Sequence, residues 1–411
     1  MVCGLAAGAW LGAAEAPTKL VTMGVSPFVI TLGMVGGVFV ARWTIPMTLK
    51  GSGFLFRDLR QNAHLLVWAL MAGMLWVVAN TLTVFAIRDV GLSIAFPLWN
   101  SNSLVGLFWG WLFFHELRGA STGSWVKVMG GATAIAVGAA MLAYATTQRS
   151  GIHSGRALLG VLAALGAGAL WGTQYIPYRK AYISGISPLS FVTIIACGEL
   201  LATVALGAAF HGGMGALFQQ LAMARPVLFW LFLGGFCWVF GDLFQQYAAK
   251  YIGIGRGIPL SNTNQLWGLA WGALVFGEFA GLSTAGRGWV IAGSLLMIAG
   301  AAAIAMASAG ASELRSWKAA MERECCRYGL DAQRLQRALR GEDALDQAPP
   351  QRRWWEALAP LAVVCLLSVL ASVAHRPRMA FDSGWMLILM AATGLFLIVG
   401  ATFLWKRTRF C

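Results

Sequence analysis

Residues Pro97–Leu117 read PLWNSNSLVGLFWGWLFFHEL, and Pro259–Phe279 read PLSNTNQLWGLAWGALVFGEF. At a constant offset of 162 the two stretches agree at 12 of 21 positions, including Pro, both Asn, Trp and the terminal Glu. Apolar helices match by chance at Leu and Gly, but not at two amides, a proline and a glutamate in register. The chain is therefore an internal duplication. Its polar residues lie within runs otherwise suited to lipid, as a site between two repeats requires.

The duplication extends outward. Trp68, Gly73, Trp76, Asn80 and Arg88 correspond to Trp230, Gly235, Trp238, Asp242 and Lys250 at the same offset. Further upstream the offset drifts by a residue or two, so that Gly12 and Pro17 match Gly172 and Pro177. The 411 residues are 58% apolar and 11% charged, with a mean hydropathy of +0.69. Runs of about 20 apolar residues at that composition mark a polytopic helical membrane protein. The dyad alternation of barrel strands is missing. The net charge of +14 sits in loops rather than in one basic domain, so it does not point to nucleic acid.

Apolar segments fall near 1–20, 27–47, 64–87, 91–114 and 125–146 in the first half. In the second half they fall near 157–178, 188–211, 226–249, 253–277 and 286–309. Five is odd, so the second copy is expected to cross the membrane in the opposite sense. This is the inverted-topology repeat of many secondary transporters, whose sites lie at the repeat interface. The expected divisions are 1–148 and 157–309 for the repeats, 310–355 for a cytoplasmic helical hairpin, and 356–411 for two further spans near 357–374 and 384–405. The fold class expected is thus all-α: ten helices in a 5+5 inverted repeat, plus two appended helices.

With a cytoplasmic N-terminus, 21 of the 30 Lys and Arg lie on the cytoplasmic side and eight outside. That asymmetry follows the positive-inside rule and predicts a multi-pass cell (inner) membrane protein with both termini cytoplasmic. Arg42, about one turn inside the second segment, is expected to snorkel to the cytoplasmic surface. The N-terminal Ala-rich run has no basic n-region and has a partner in the second half, so no cleavage is expected. The seven cysteines show no metal-ligand spacing and no paired framework.

Helical spacing selects the polar residues that share a face. Trp238, Asp242, Gln245 and Gln246 fall at i, i+4, i+7 and i+8, and Trp76 and Asn80 are their partners in the first half. Trp171, Gln174, Tyr175 and Tyr178 form another such face. Aromatic rings beside amides and a carboxylate suit a sugar, covering its C–H surface while matching its hydroxyls. The bland reading of these stripes is interhelical packing. Asn100 and Asn102 lie about 200° apart on a helix, as do Asn262 and Asn264. One amide of each pair is therefore expected to line the site, and Asn100 and Asn262 are preferred. Three carboxylates fall within spans: Asp242, Glu15 and Glu199. Each is a candidate for proton coupling, because desolvation favours a carboxyl's neutral form. Lys19, one turn from Glu15, offers that residue a simple ion pair. Glu116 and Glu278 end their helices beside loops and read as structural caps.

At Asp89–Leu117 and Tyr251–Phe279 the chain resembles the glucose/ribose porter family of the drug/metabolite transporter superfamily. The shared pattern is a Gly-rich start, then Pro or a small residue, then Ser, Asn or Gln, and a terminal His-Glu or Gly-Glu. Trp76-Val-Val-Ala-Asn80 and Trp238-Val-Phe-Gly-Asp242 are similar to the family's Trp-x-x-Gly-Asn/Gln element. Asp242 departs from it where an amide is commoner, and residues 310–411 have no counterpart. The resemblance covers roughly residues 1–309 and implies uptake of a monosaccharide with a coupling proton. Export of a metabolite or drug by the same superfamily is the alternative, as is a sensor or regulator acting through the C-terminal appendage. No nucleotide loop, nucleophile triad or metal cluster is visible, so neither an enzyme, a cofactor nor a metal is expected. Gly253-Ile-Gly255-Arg-Gly257 lacks the Lys-Ser/Thr of a phosphate loop.

Overall fold

The computed structural model describes residues 2–21, 24–114, 117, 119–147, 154–252, 258, 260–307, 311–333, 335–336, 353–375, 379–408 and 410. The described residues are all-helical, without strands. Nine of their helices are long and apolar enough to cross a membrane. The chain is an all-α polytopic membrane protein.

The first half holds α1 (Val2–Val21), α2 (Pro27–Lys50), the short α3 (Ser52–Gln61), α4 (Leu66–Val90), α5 (Leu92–Trp99), α6 (Asn102–Phe114) and α7 (Thr122–Thr147). The second half holds α8 (Ser154–Ile183), α9 (Pro188–His211), the short α10 (Met214–Met223), α11 (Leu228–Ile252), α12 (Asn264–Ala270) and α13 (Thr284–Ala305). A charged helix, α14 (Ala311–Tyr328), and two apolar ones, α15 (Leu358–Ser372) and α16 (Ser383–Thr408), complete the chain. Pro27 and Pro188 begin α2 and α9, where the missing N–H costs nothing.

The fourth and ninth segments differ from the continuous spans expected of them. The fourth breaks between α5 and α6 at Asn100–Ser101. The ninth breaks before α12 and then widens into a π-helical turn, Trp271–Val275. Pro97 removes one helical donor. Around it Asn100 N donates to Pro97 O at 3.1 Å and Ser101 N to Leu98 O at 3.2 Å, the tighter i to i+3 pattern. Irregular backbone at membrane depth survives only where protein covers it, and the asparagine at each break, Asn100 and Asn262, is buried.

Packing is reciprocal between the halves. The helix α1 packs on α11, and α8 packs on α4. The helix α2 meets both α9 and α11, α4 meets α9, and α7 pairs with α13. Close backbone approach at the crossing of α2 and α11 depends on a glycine from each helix. A Cβ on Gly37 would lie 2.0 Å from Phe232 O, and one on Gly235 would lie 1.9 Å from Met34 O. Small residues let membrane helices come this close, which brings the charged residues of α2 and α11 within bonding reach.

The helix α14 docks where α8 ends. Lys180 pairs with Glu324, Arg179 lies 4.0 Å from the Trp317 ring centre, and His64 stacks on Tyr328 at 4.0 Å. Gly329, with φ 63°, ends α14 as an αL residue. Of the hairpin expected over 310–355, residues 311–333, 335–336 and 353–355 are described. The helix α16 leans on α1 and the π turn, and Asp382 N donates to Val275 O at 2.9 Å.

Candidate functional site

Six apolar segments, two of them broken, converge on one cavity of about 40 Å³, room for only a few waters. Leu11 and Glu15 come from α1, and Trp76 from α4. Phe96, Trp99, Asn100 and Asn102 come from the broken fourth segment, with Asn262 and Asn264 from the ninth. The helix α8 contributes Trp171, Gln174, Tyr175 and Tyr178, and α11 contributes Trp238, Asp242 and Gln245. Every face read from helical spacing on α8 and α11 is represented.

Three of the sequence-predicted site residues do not line the cavity: Asn80, Gln246 and Glu199. Asn80 is fully buried and turns to α2. Its amide nitrogen lies 3.5 Å from Thr31 Oγ1 and 3.9 Å from Met34 Sδ. Gln246 sits one layer out, donating to Asp242 Oδ1 at 2.8 Å and accepting from the Tyr182 hydroxyl. Glu199 lies behind Asp242, across a shared arginine.

That arginine is Arg42, and its expected place is corrected. It does not snorkel to the surface. It is 0% exposed, donating from Nη1 to Glu199 Oε1 and from Nη2 to Asp242 Oδ2, each at 2.7 Å. Its guanidinium also lies 5.3 Å from the Trp238 ring centre, and Trp238 meets Trp76 edge to face at 5.1 Å. The direction is set by charge: two buried carboxylates attract the guanidinium more strongly than a longer reach to water. A signal for this existed in the sequence, because carboxylates buried in spans require a cation nearby.

The division of the paired Asn residues is corrected too. Asn100, Asn102, Asn262 and Asn264 all line the cavity. A fixed angle between neighbouring residues holds only along a continuous helix, and the breaks remove that constraint. These amides also join the two halves. Asn100 Nδ2 donates to Asn264 Oδ1 at 2.8 Å. Asn262 Nδ2 donates to Asn100 O at 3.3 Å and bonds Ser103 Oγ.

Glu15 is 2% exposed, and its expected partner goes elsewhere. Lys19 pairs with Glu278 at 3.1 Å, leaving Glu15 Oε2 buried without a hydrogen-bond partner. Glu278 in turn accepts from Leu92 N at 2.9 Å and Ser93 N at 2.8 Å, capping α5 of the other half. Burial alone pushes a carboxyl up. Lys19 and the two amides outweigh it and hold Glu278 below the usual carboxylate range. The matching Glu116 lies outside the described residues. The remaining amides of the site are tied down: Gln174 Nε2 donates to Ala72 O at 3.0 Å, and Gln245 Nε2 bonds Ser261 Oγ. Trp99 and Phe96, which no helical stripe singled out, form an aromatic wall with ring centres 4.6 Å apart.

The site therefore defines a membrane protein with a small polar and aromatic chamber between two sequence-related halves. No protein-family profile matches the chain, and no curated protein matches it. Among solved structures it is similar to one described only as a crystal structure of a protein. The two share 17% identity over 73% of this chain and 94% of that chain, with a TM-score of 0.43.

Proposed function

We propose that this chain is a secondary active transporter that takes up a monosaccharide with a proton by alternating access. Its working core would be two five-helix repeats of inverted topology in the cell (inner) membrane, both termini cytoplasmic. Reciprocal packing supports the repeat arrangement: the first helix of each half, α1 or α8, packs on the third long helix of the other, α11 or α4. The two broken segments meet through their asparagines, as discontinuous helices do around transporter sites.

One observation carries the substrate class. Within the aromatic chamber, the indole N–H groups of Trp76 and Trp171 have no acceptor, and Glu15 Oε2 has no donor. A ligand that donates and accepts from one small framework answers both needs, and sugar hydroxyls do so. The likeness of the duplicated text to glucose/ribose porters points the same way. Glu15, Asp242 and Glu199 are the acids available for the coupling proton.

A second reading is export of an organic cation. It is favoured by the same Glu15 oxygen, because a buried carboxylate ringed by aromatic faces also attracts an ammonium group. Uptake into proteoliposomes separates the two. Labelled glucose, ribose and rhamnose should accumulate saturably, and more so under an inward proton gradient. No saturable uptake of any of the three, together with saturable transport of a labelled quaternary ammonium compound that Glu15→Gln abolishes, would replace sugar by cation.

A further inference from the structure

Behind the cavity, α2, α9 and α11 enclose three charges, of which only Asp242 reaches the cavity wall. Arg42 bridges Glu199 and Asp242 at 2.7 Å each, and the three side chains are at most 1% exposed. The two carboxylates are not held alike. Both oxygens of Asp242 receive donors, Arg42 on Oδ2 and Gln246 Nε2 on Oδ1. Glu199 receives Arg42 on Oε1 only, and its Oε2 is buried with no hydrogen-bond partner.

Fully ionised, the trio carries one negative charge in excess where water cannot offset it, and that is costly. A single proton makes it neutral. A carboxylate with a donor on each oxygen is held as an anion, so the proton belongs on the oxygen without one. We propose that Glu199 Oε2 is the coupling-proton site, one guanidinium removed from the substrate cavity, with Arg42 as the positioning residue between them. The inference rests on the transporter reading above.

The coupling then follows from charge sharing. With Glu199 ionised, Arg42 is divided between two anions. With Glu199 neutral, its charge is committed to Asp242, which changes what that carboxylate offers a sugar hydroxyl. No proton need enter the sugar site itself. The groups facing Glu199 are Arg42 from α2, Asp242 from α11, Tyr178 from α8 and Cys197 on its own helix. The helix α4 presents the backbone at Gly73. The helix α3 meets the first turn of α9, where Asp58 accepts from Ser187 N at 3.1 Å, and α10 carries no titratable residue.

Infrared spectroscopy of the protein reconstituted without sugar reads the proton directly. The protein should show a carboxylic-acid C=O absorption at neutral pH, with a component lost in Glu199→Gln and shifted in Glu199→Asp. Absence of that absorption, or its survival intact in Glu199→Gln, overturns the proposal. In proteoliposomes, Glu199→Gln should lose the stimulation of labelled glucose, ribose or rhamnose uptake by a pH gradient, and Glu199→Asp should restore it. Full stimulation in Glu199→Gln overturns the proposal. If wild-type protein moves none of these sugars while the infrared component still belongs to Glu199, the proton site stands and the sugar reading falls.

Discussion

Asn80 and Asp242 occupy equivalent positions in the duplicated sequence, yet their surroundings are opposites. Asp242 reaches the cavity and is held by an arginine at 2.7 Å and a glutamine at 2.8 Å. Asn80 faces α2 with contacts of 3.5 Å and 3.9 Å, and its Oδ1 is buried without a partner. The residues one turn on repeat the contrast, Gln246 beside Asp242 and Val84 beside Asn80. Duplication supplied two similar frames, and only one of them was charged. The ion trio ties α2 to α9 and α11, whereas its counterpart around Asn80 is neutral and loosely bonded, so the two halves are held to their neighbours by different forces.

The strongest way to break this contrast is to remove the cation. Arg42→Leu leaves two carboxylates buried beside each other, and breaking a buried pair in this way costs about 3–5 kcal/mol. Thermal unfolding in detergent should register the loss. A triple variant, Arg42→Met with Glu199→Gln and Asp242→Asn, should recover most of it; if it does not, the arginine contributes by packing rather than by charge.

Making the halves alike is the next test. Asp242→Asn places an amide at both equivalent positions and removes the charged acceptor from the cavity wall. Hydrogen bonds to charged groups contribute about 1.5–3 kcal/mol, so on the proposed sugar-uptake reading the affinity for sugar should fall by roughly ten- to a hundredfold. Calorimetry with glucose, ribose and rhamnose, the sugars of the proposed uptake, gives the answer directly. An unchanged affinity would mean that the asymmetry serves the scaffold alone.

The smallest effect belongs to a contact that joins the halves away from the cavity. Glu278→Gln removes the charge that caps α5 and pairs with Lys19, for a loss of about 1 kcal/mol. The pH dependence has a definite sign. The folded carboxyl titrates below its unfolded value, so its stabilisation is complete above about pH 4.3 and disappears as pH falls through the folded value. Wild-type protein should therefore lose stability in that acid window more than Glu278→Gln does, as parallel melting curves would show.

Much of the frame is legible in the residues because it depends on one-dimensional quantities. Run length, apolar composition and the 162-residue offset suffice for helices and for duplication. The faces on α8 and α11 also follow, since an unbroken helix turns by a constant angle. Where the helix is interrupted, that logic fails, and it failed at Asn102 and Asn264, which line the cavity beside the expected Asn100 and Asn262. Proline at 97 signals a disturbance, but whether a helix bends or breaks depends on what covers the freed groups. Arg42 shows the other gap: its spacing placed it a turn inside the membrane, and distance along one helix says nothing about carboxylates on two others.

The sequence alone determined an all-helical membrane chain, its two related halves, and the aromatic, amide and carboxylate residues carried on three helical faces. These follow from local chemistry and period. Only the tertiary structure decided that Arg42 joins Glu199 to Asp242, that Lys19 leaves Glu15 for Glu278, and that four asparagines share one chamber. Each of those outcomes is a choice among partners distant in the chain, and electrostatics in a buried site is settled by which charges the packing brings within bonding distance.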